Sequence, residues 1–278
     1  MKKDYDDKIK KHYDKVADEL GDQQTSTMLD NFVREKETQT ILDFVGIKSN
    51  NKKSMTIVDI GCGNGYTLSR LISEFEHHQH RFIGIEYNDK LRYYADKRFK
   101  NNNNVQVFKG DIRNSSFLNN IKVDIIICQR VVINLLNRKD QDKALENIID
   151  SAKPGGYLLF IEAFKSRLDI LNEARSELNL KEIEQPYHNL YLSDNFFNRG
   201  EIVDLNNLKF DITHNQYQSN FLSTHYFISR ALYPAIINDV NLKRNSHLAK
   251  FFSLSLPQNI GDYSPLKLKI FKKHREIM

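Results

Sequence analysis

An acid two residues ahead of three alternating glycines, Asp59-Ile60-Gly61-Cys62-Gly63-Asn64-Gly65, is the part of this chain best suited to holding a small molecule. Glycine in such a turn accepts positive φ and, having no side chain, lets the backbone approach a ligand closely. Asp59 bears on the ligand's charge, because a carboxylate beside the loop repels a pyrophosphate and suits an amino group. A nicotinamide dinucleotide fits less well on a second count: its fingerprint wants a small residue at position 66, and the chain has Tyr66. Glu86 closes the next apolar run, 81–86, where an acid suits hydrogen bonding to a ribose diol.

Such residues need a strand that stops at the turn and a helix that starts just after it. Val58-Asp59-Ile60 supplies the strand end, and Leu68, Leu71, Ile72 and Phe75 share one face of the helix that follows. Short apolar runs alternate with helical stretches from Met55 to Phe164, with strands predicted near 55–60, 81–86, 104–108, 122–128 and 156–163. The pattern predicts an α/β fold with a doubly wound, mostly parallel sheet.

Four stretches in order, Asp59-x-Gly61-x-Gly63-x-Gly65, Glu86, Gly110-Asp111-Ile112 and Lys153-Pro154-Gly155-Gly156-Tyr157-Leu158, resemble the motifs of the class I S-adenosylmethionine (SAM) dependent methyltransferases. The resemblance covers roughly residues 55 to 165. It implies a seven-stranded sheet ending in an antiparallel hairpin, with strands near 208–215 and 266–272. It implies SAM as cofactor and S-adenosylhomocysteine as product. The cofactor-binding set that follows is Arg34, Asp59, Gly61, Cys62, Gly63, Gly65, Glu86, Tyr87, Asp111, Ile112 and Gln129, with Glu86 on the ribose hydroxyls, Asp111 on the adenine amino group and Arg34 on the cofactor carboxylate. Arg34 equally suits a helix-surface salt bridge with Glu35 or Glu37.

Methyl transfer from a sulfonium is an in-line displacement, so alignment and exclusion of water supply much of the rate, and a base is needed only where the nucleophile carries a proton. His188, within Pro186-Tyr187-His188-Asn189-Leu190-Tyr191, and His225, within Thr224-His225-Tyr226, are the candidate catalytic residues. Arg130, Asn172, Arg175, Asn189, Tyr191, Tyr226 and Arg230 are the candidate substrate contacts. Their guanidinium groups would favour an anionic acceptor if they converge; solvated ion pairs and core aromatics are the competing account of each. No metal is expected, because Gln129, Arg130 and Asn134 stand where metal-using relatives place clustered acids.

At 278 residues the chain has the length for one large α/β domain or for a domain plus a substantial lid. Residues 1–45 read as a helical lid, with Ile9, Tyr13, Val16 and Leu20 on one face. Residues 46–278 form the methyltransferase domain, whose segments at about 184–206 and 216–260 read as substrate covers, the second a helical insertion before the last strand. Lys+Arg 41 against Asp+Glu 36 gives only +5, with the charges interspersed, which argues against a nucleic-acid surface. Lacking a long apolar span or a signal segment, the chain is expected to be cytoplasmic and off the membrane, with Cys62 and Cys128 reduced. The combined reading is a methyltransferase acting on a small molecule, at oxygen of an anionic or sugar-like natural-product or glycan metabolite. A nucleic-acid methyltransferase and a non-catalytic SAM-binding module are the alternatives.

Overall fold

Apolar β-branched runs without polar alternation, such as Ile125-Ile126-Ile127, suit strands covered on both faces. In the computed structural model of the protein, which describes residues 2–50, 52–206, 218–237 and 244–274, they form the centre of a seven-stranded sheet. Helices α1 (Lys2–Leu20) and α2 (Asn31–Ser49) precede β1 (Thr56–Ile60). Then follow α3 (Tyr66–Glu74), β2 (Arg81–Glu86), α4 (Asp89–Arg98), β3 (Val105–Lys109), β4 (Val123–Gln129), α5 (Arg138–Ser151), β5 (Ala152–Ala163) and α6 (Lys165–Glu177). The chain closes with β6 (Ile202–Asp204), α7 (Ser223–Phe227), α8 (Tyr233–Ile237), α9 (His247–Ser255) and β7 (Leu266–Lys273).

The strand order is β3-β2-β1-β4-β5-β7-β6. The first five strands run parallel, and β7 is antiparallel to both β5 and β6. The winding reverses between β1 and β4, so a crevice opens beyond their carboxyl ends, where ligands bind in sheets of this kind. Ile57, Val58 and Ile60 are fully buried, as are Ile125, Ile126 and Ile127 and the α3 residues Leu68 and Leu71 that cover them. Among the described residues no helix is long and apolar enough to cross a membrane.

The structure differs from or adds to the expected elements at three places. β5 begins at Ala152, four residues before the expected start, because the Lys153–Gly156 turn sits inside a register shift against β4, with Gly155 at φ 76°. The hairpin partner of β7 is the three-residue β6; the strand expected near 208–215 lies outside the described residues. The helix read over Phe221 to Ile237 is α7 and α8 joined through one π-helical turn, Ile228–Leu232. Cys62 and Cys128 are free and buried, and Cys128 pairs with Ile60 across β1 and β4.

Candidate functional site

The β1–α3 turn takes the backbone that its glycines allow. Gly61, Gly63 and Gly65 sit at φ 67°, 57° and 80°, the left-handed region that side chains disfavour. A Cβ on Gly61 would lie 2.3 Å from Val131 and one on Gly65 would lie 2.6 Å from Phe99, so both are held by packing. Gly63 has only Thr27 within reach, at 3.5 Å, and faces the crevice.

That crevice is a cavity of about 130 Å³, roughly ten times what one water needs. Its walls include Gly61, Gly63, Glu86, Tyr87, Asp111, Ile112, Gln129 and Arg130. A smaller polar recess adjoins it, sharing Thr27, Gly61, Gln129 and Arg130 and adding Arg34, Asp59, Cys62 and Asn64. Ten of the eleven expected cofactor residues therefore line one hollow or the other. Gly65 lines neither: its backbone starts α3 and abuts Phe99.

Glu86 accepts backbone N–H bonds from Gly63 at 2.8 Å and Asn88 at 2.7 Å, and its burial raises its pKa. Asp59 is 2 % exposed; burial first and the neighbouring Glu86 second push its carboxyl up to about 7, against the pull of Arg34 and Arg130. Arg34 donates to Thr27 at 2.8 Å while its Nε is buried without a partner, and burial, then Arg130, lower its pKa to about 10. The recess thus joins an acid that gains from a nearby ammonium to a guanidinium with an unused donor that gains from a carboxylate. This donor set fits the amino-acid end of SAM, and Glu86 fits its ribose.

Asp111 is gripped by Arg113, whose Nε and Nη2 reach its two oxygens at 2.7 to 3.1 Å. Nη1 of the same guanidinium bonds Asp6 at 2.8 Å and the Tyr5 hydroxyl at 3.1 Å, and Tyr5 donates to Asp140 at 2.8 Å. Sequence reasoning missed Arg113; its one signal was a cation two residues after Asp111. It also missed Tyr5, Asp6 and Lys10, which with the lid-face residues Ile9 and Tyr13 bring α1 into the cavity wall. Further along α1, Asn88 Nδ2 donates to Asp14 at 2.7 Å and Asn134 Nδ2 donates to Tyr13 at 2.9 Å. Helix α1 therefore roofs the cavity from the Asp111 end to the β4 end.

The exit of β4 is fixed by Glu162, another residue the sequence did not single out. Its carboxylate accepts the backbone N–H groups of Val131, Val132 and Ile133 at 2.9, 3.0 and 3.3 Å. Burial drives its pKa up to about 7, with those three bonds pulling the other way. Arg130, in left-handed conformation at φ 57°, turns its guanidinium onto the buried Glu37, which also receives Gln129 at 2.9 Å. Asn134 leaves its Oδ1 buried and without a partner at the same wall.

The remaining expected site residues are not brought to the cavity. Arg175 spends its guanidinium on the carbonyls of Lys181 and Arg230, and Asn172 ties both backbone groups of Ile183. Arg230 pairs with Asp30 at 2.5 Å and lies over the Tyr226 ring. His225, 1 % exposed, bridges Ser253 at 2.8 Å and Asp30 at 3.1 Å and stacks on Phe32. Asn189 and Tyr191 hold the 185–191 turn through their backbones, with Gln185 as partner. His188 stacks on His12 of α1 at 3.7 Å, and burial lowers its pKa to about 4. The three arginines do not converge, because each already has an acid or carbonyl partner. Among the described residues of the 216–260 insertion none lines the cavity; His225 and Arg230 dock it on the start of α2 instead.

A methyltransferase-domain family model matches residues 57–156. No curated protein matches the sequence. Among solved structures, a plantazolicin methyltransferase, BpumL, bound to S-adenosylhomocysteine is similar over 98 % of this chain and 99 % of its own, at 16 % identity and TM-score 0.50. A SAM-dependent methyltransferase from Clostridium acetobutylicum is 19 % identical over 50 % of this chain, with TM-score 0.41; the matched part spans about half of that protein, 54 %. The N-methyltransferase NodS from Bradyrhizobium japonicum is 23 % identical over 55 % of this chain and 74 % of its own, with TM-score 0.45.

Proposed function

We propose that this chain, which carries a class I SAM-dependent methyltransferase domain, methylates a small molecule at a nucleophile that still bears hydrogen, in the first place a hydroxyl of a sugar-like acceptor. The observation that carries this reading is Asn134, a residue of the cavity wall whose buried Oδ1 has no partner. An orphaned buried acceptor costs about 1–3 kcal/mol, which a donor on the incoming molecule relieves. A carboxylate or phosphate has no such donor. With Arg175 and Arg230 engaged away from the cavity and Arg130 neutralised by Glu37, the anionic form of the acceptor loses its support.

SAM, when bound, supplies the electrophilic methyl group. Asp59 takes its ammonium, Arg34 its carboxylate, Glu86 its ribose and Asp111 its adenine amino group. The acceptor comes against Tyr13, Gln129 and Asn134. Burial lifts Tyr13 to about 12, so its phenol stays protonated, donates or accepts a hydrogen bond and does not act as base. His188 at about 4 is a weak base at neutral pH, and it packs beneath α1 rather than in the cavity wall. Positioning and exclusion of water by α1 therefore carry most of the rate, and the acceptor's proton, made strongly acidic once the methyl group is on oxygen, leaves to water rather than to a protein base. A roof of this kind also disfavours a duplex nucleic acid, and many surface cations are matched by acids, as in Arg92 with Asp89 and Asp96.

The test is mass spectrometry of products after incubation with methyl-deuterated SAM and a fractionated metabolite extract, with total RNA in parallel. A labelled methyl ether or methylamine of a small molecule is expected. A methyl ester would overturn the donor-bearing acceptor, and label confined to RNA would overturn the small molecule.

A further inference from the structure

Helix α9 is amphipathic with its faces inverted. One turn of an α-helix brings residues three and four apart together, and the side of α9 that faces the protein carries Ala249 and Ser253, 1 % and 0 % exposed. Ser253 is fastened there by His225. The opposite side carries Phe251 and Leu254, 65 % and 66 % exposed, flanked by the exposed Leu248 and Phe252. Small and polar residues thus pack inward while large apolar ones point to solvent, the reverse of a helix that serves only its own core.

The charged residues of α9 and of the described segment leading into it are basic. Arg244, His247 and Lys250 are exposed beside it, and the sequence holds no acid between Asp239 and Asp262. Glu35 of α2, which lines the groove beside α9, is engaged by Tyr66 at 2.8 Å and Arg70 at 3.3 Å, and Asp30 at the α2 N-cap by Arg230 and His225. A second copy of the chain placed face to face would set Arg244 and Lys250 against themselves. Apolar side chains projecting outward from a helix rimmed by cations match an anionic bilayer surface, where the apolar face sinks to the acyl boundary and the cations meet headgroups.

We infer that α9 is a peripheral membrane contact that seats the protein on an anionic lipid surface through Leu248, Phe251, Phe252 and Leu254, with Arg244 and Lys250 at the headgroups. Lying in the plane of the interface needs no membrane-crossing span, so the absence of one among the described helices does not bear on it.

Sedimentation of the full chain with phosphatidylcholine vesicles, with and without about one third phosphatidylglycerol, tests this. Binding to the anionic vesicles is expected, weakening as salt is raised. The double substitution Phe251→Ser with Leu254→Ser should reduce it at least about tenfold, since both side chains lose their apolar insertion. Affinity for S-adenosylhomocysteine should be unchanged in that variant, which shows that it folds, and Lys250→Glu should weaken only the anionic arm. No association with either vesicle, or equal association by the double variant, would overturn the inference. So would self-association of the parent that the double variant abolishes, because the patch would then be closed by a second copy.

Discussion

Cofactor binding should release a proton from Asp59, and the effect is large enough to measure. In the ligand-free protein the Asp59 carboxyl is driven by burial, and then by Glu86, from an ordinary 3.8 to about 7. At pH 6 only about one molecule in eleven carries it ionised. Pairing with the cofactor ammonium needs the ionised form, so the complex holds fewer protons than the free protein and affinity must rise with pH up to about 7. Between pH 6 and pH 8 the expected gain for S-adenosylhomocysteine is about tenfold, or about 1.4 kcal/mol. Calorimetry in two buffers of different ionisation enthalpy should show close to one proton released per ligand at pH 6 and almost none at pH 8. Asp59→Asn should abolish both the slope and the proton release, and should bind about 10- to 150-fold more weakly at pH 8 through loss of a charge-assisted bond. Glu162 is also near 7, but its oxygens face the β4 turn rather than the ligand, so it cancels between the two states. An affinity flat from pH 6 to 8, with no proton release in either buffer, would refute the assignment of Asp59 to the ammonium.

Thermal stability of the ligand-free protein should fall as pH rises from about 4 to about 7. The folded-state pKa values of Asp59 and Glu162 are raised, so their contribution is full below the unfolded values and is lost through about 7; it amounts to at most about 4 kcal/mol for Asp59 and about 3 kcal/mol for Glu162, and a melting temperature that climbs over this range would contradict it. Asp30 works oppositely: burial alone would raise its pKa, but His225 and Arg230 hold it near 2, so its stabilisation is present above about 4 and disappears as pH falls toward 2. Asp30→Ala should cost about 3–5 kcal/mol in chemical denaturation, because it strands the buried Arg230 and removes the α2 N-cap on Val33; a loss under 1 kcal/mol would contradict this. Arg113→Ala should break the ion pairs that join Asp6 of α1 to the Asp111 end, giving faster hydrogen exchange in α1 with stability elsewhere intact, and unchanged exchange would show that the roof is held by other contacts. Glu86→Ala should weaken S-adenosylhomocysteine binding by about 1.5–3 kcal/mol, and calorimetry indistinguishable from the parent would remove Glu86 from the ribose.

The parallel half of the sheet was legible because its signals are local. Apolar runs such as Ile125-Ile126-Ile127 end at turn residues within a few positions, and the Asp59–Gly65 turn carries its own geometry. The short β6 was not legible, since three residues give no period and its pairing with β7 depends on chain about 70 positions away. Residues along the β1 and β2 ends line the hollow for the same local reason. What failed was the reading of isolated cations: Arg130 is matched by Glu37 from 93 positions away and Arg230 by Asp30 from 200 away. A single sequence shows a charge but not the partner that neutralises it. Glu162 was invisible because its work is done on backbone N–H groups, which carry no residue type.

Helix α1 meets both ends of the hollow at once, with Asp6 on Arg113 beside Asp111 and Tyr13 on Asn134 at the β4 exit. One rigid element therefore has to leave both ends together. On the proposed reading, SAM reaching Asp111 would have to part α1 from the hollow, and an acceptor at Asn134 would be covered once α1 closes again. The expected consequence is an ordered turnover, with cofactor first and acceptor second, then methylated product leaving before S-adenosylhomocysteine. In steady-state kinetics S-adenosylhomocysteine would compete with SAM but not with the acceptor, and a dead-end acceptor analogue would inhibit uncompetitively against SAM.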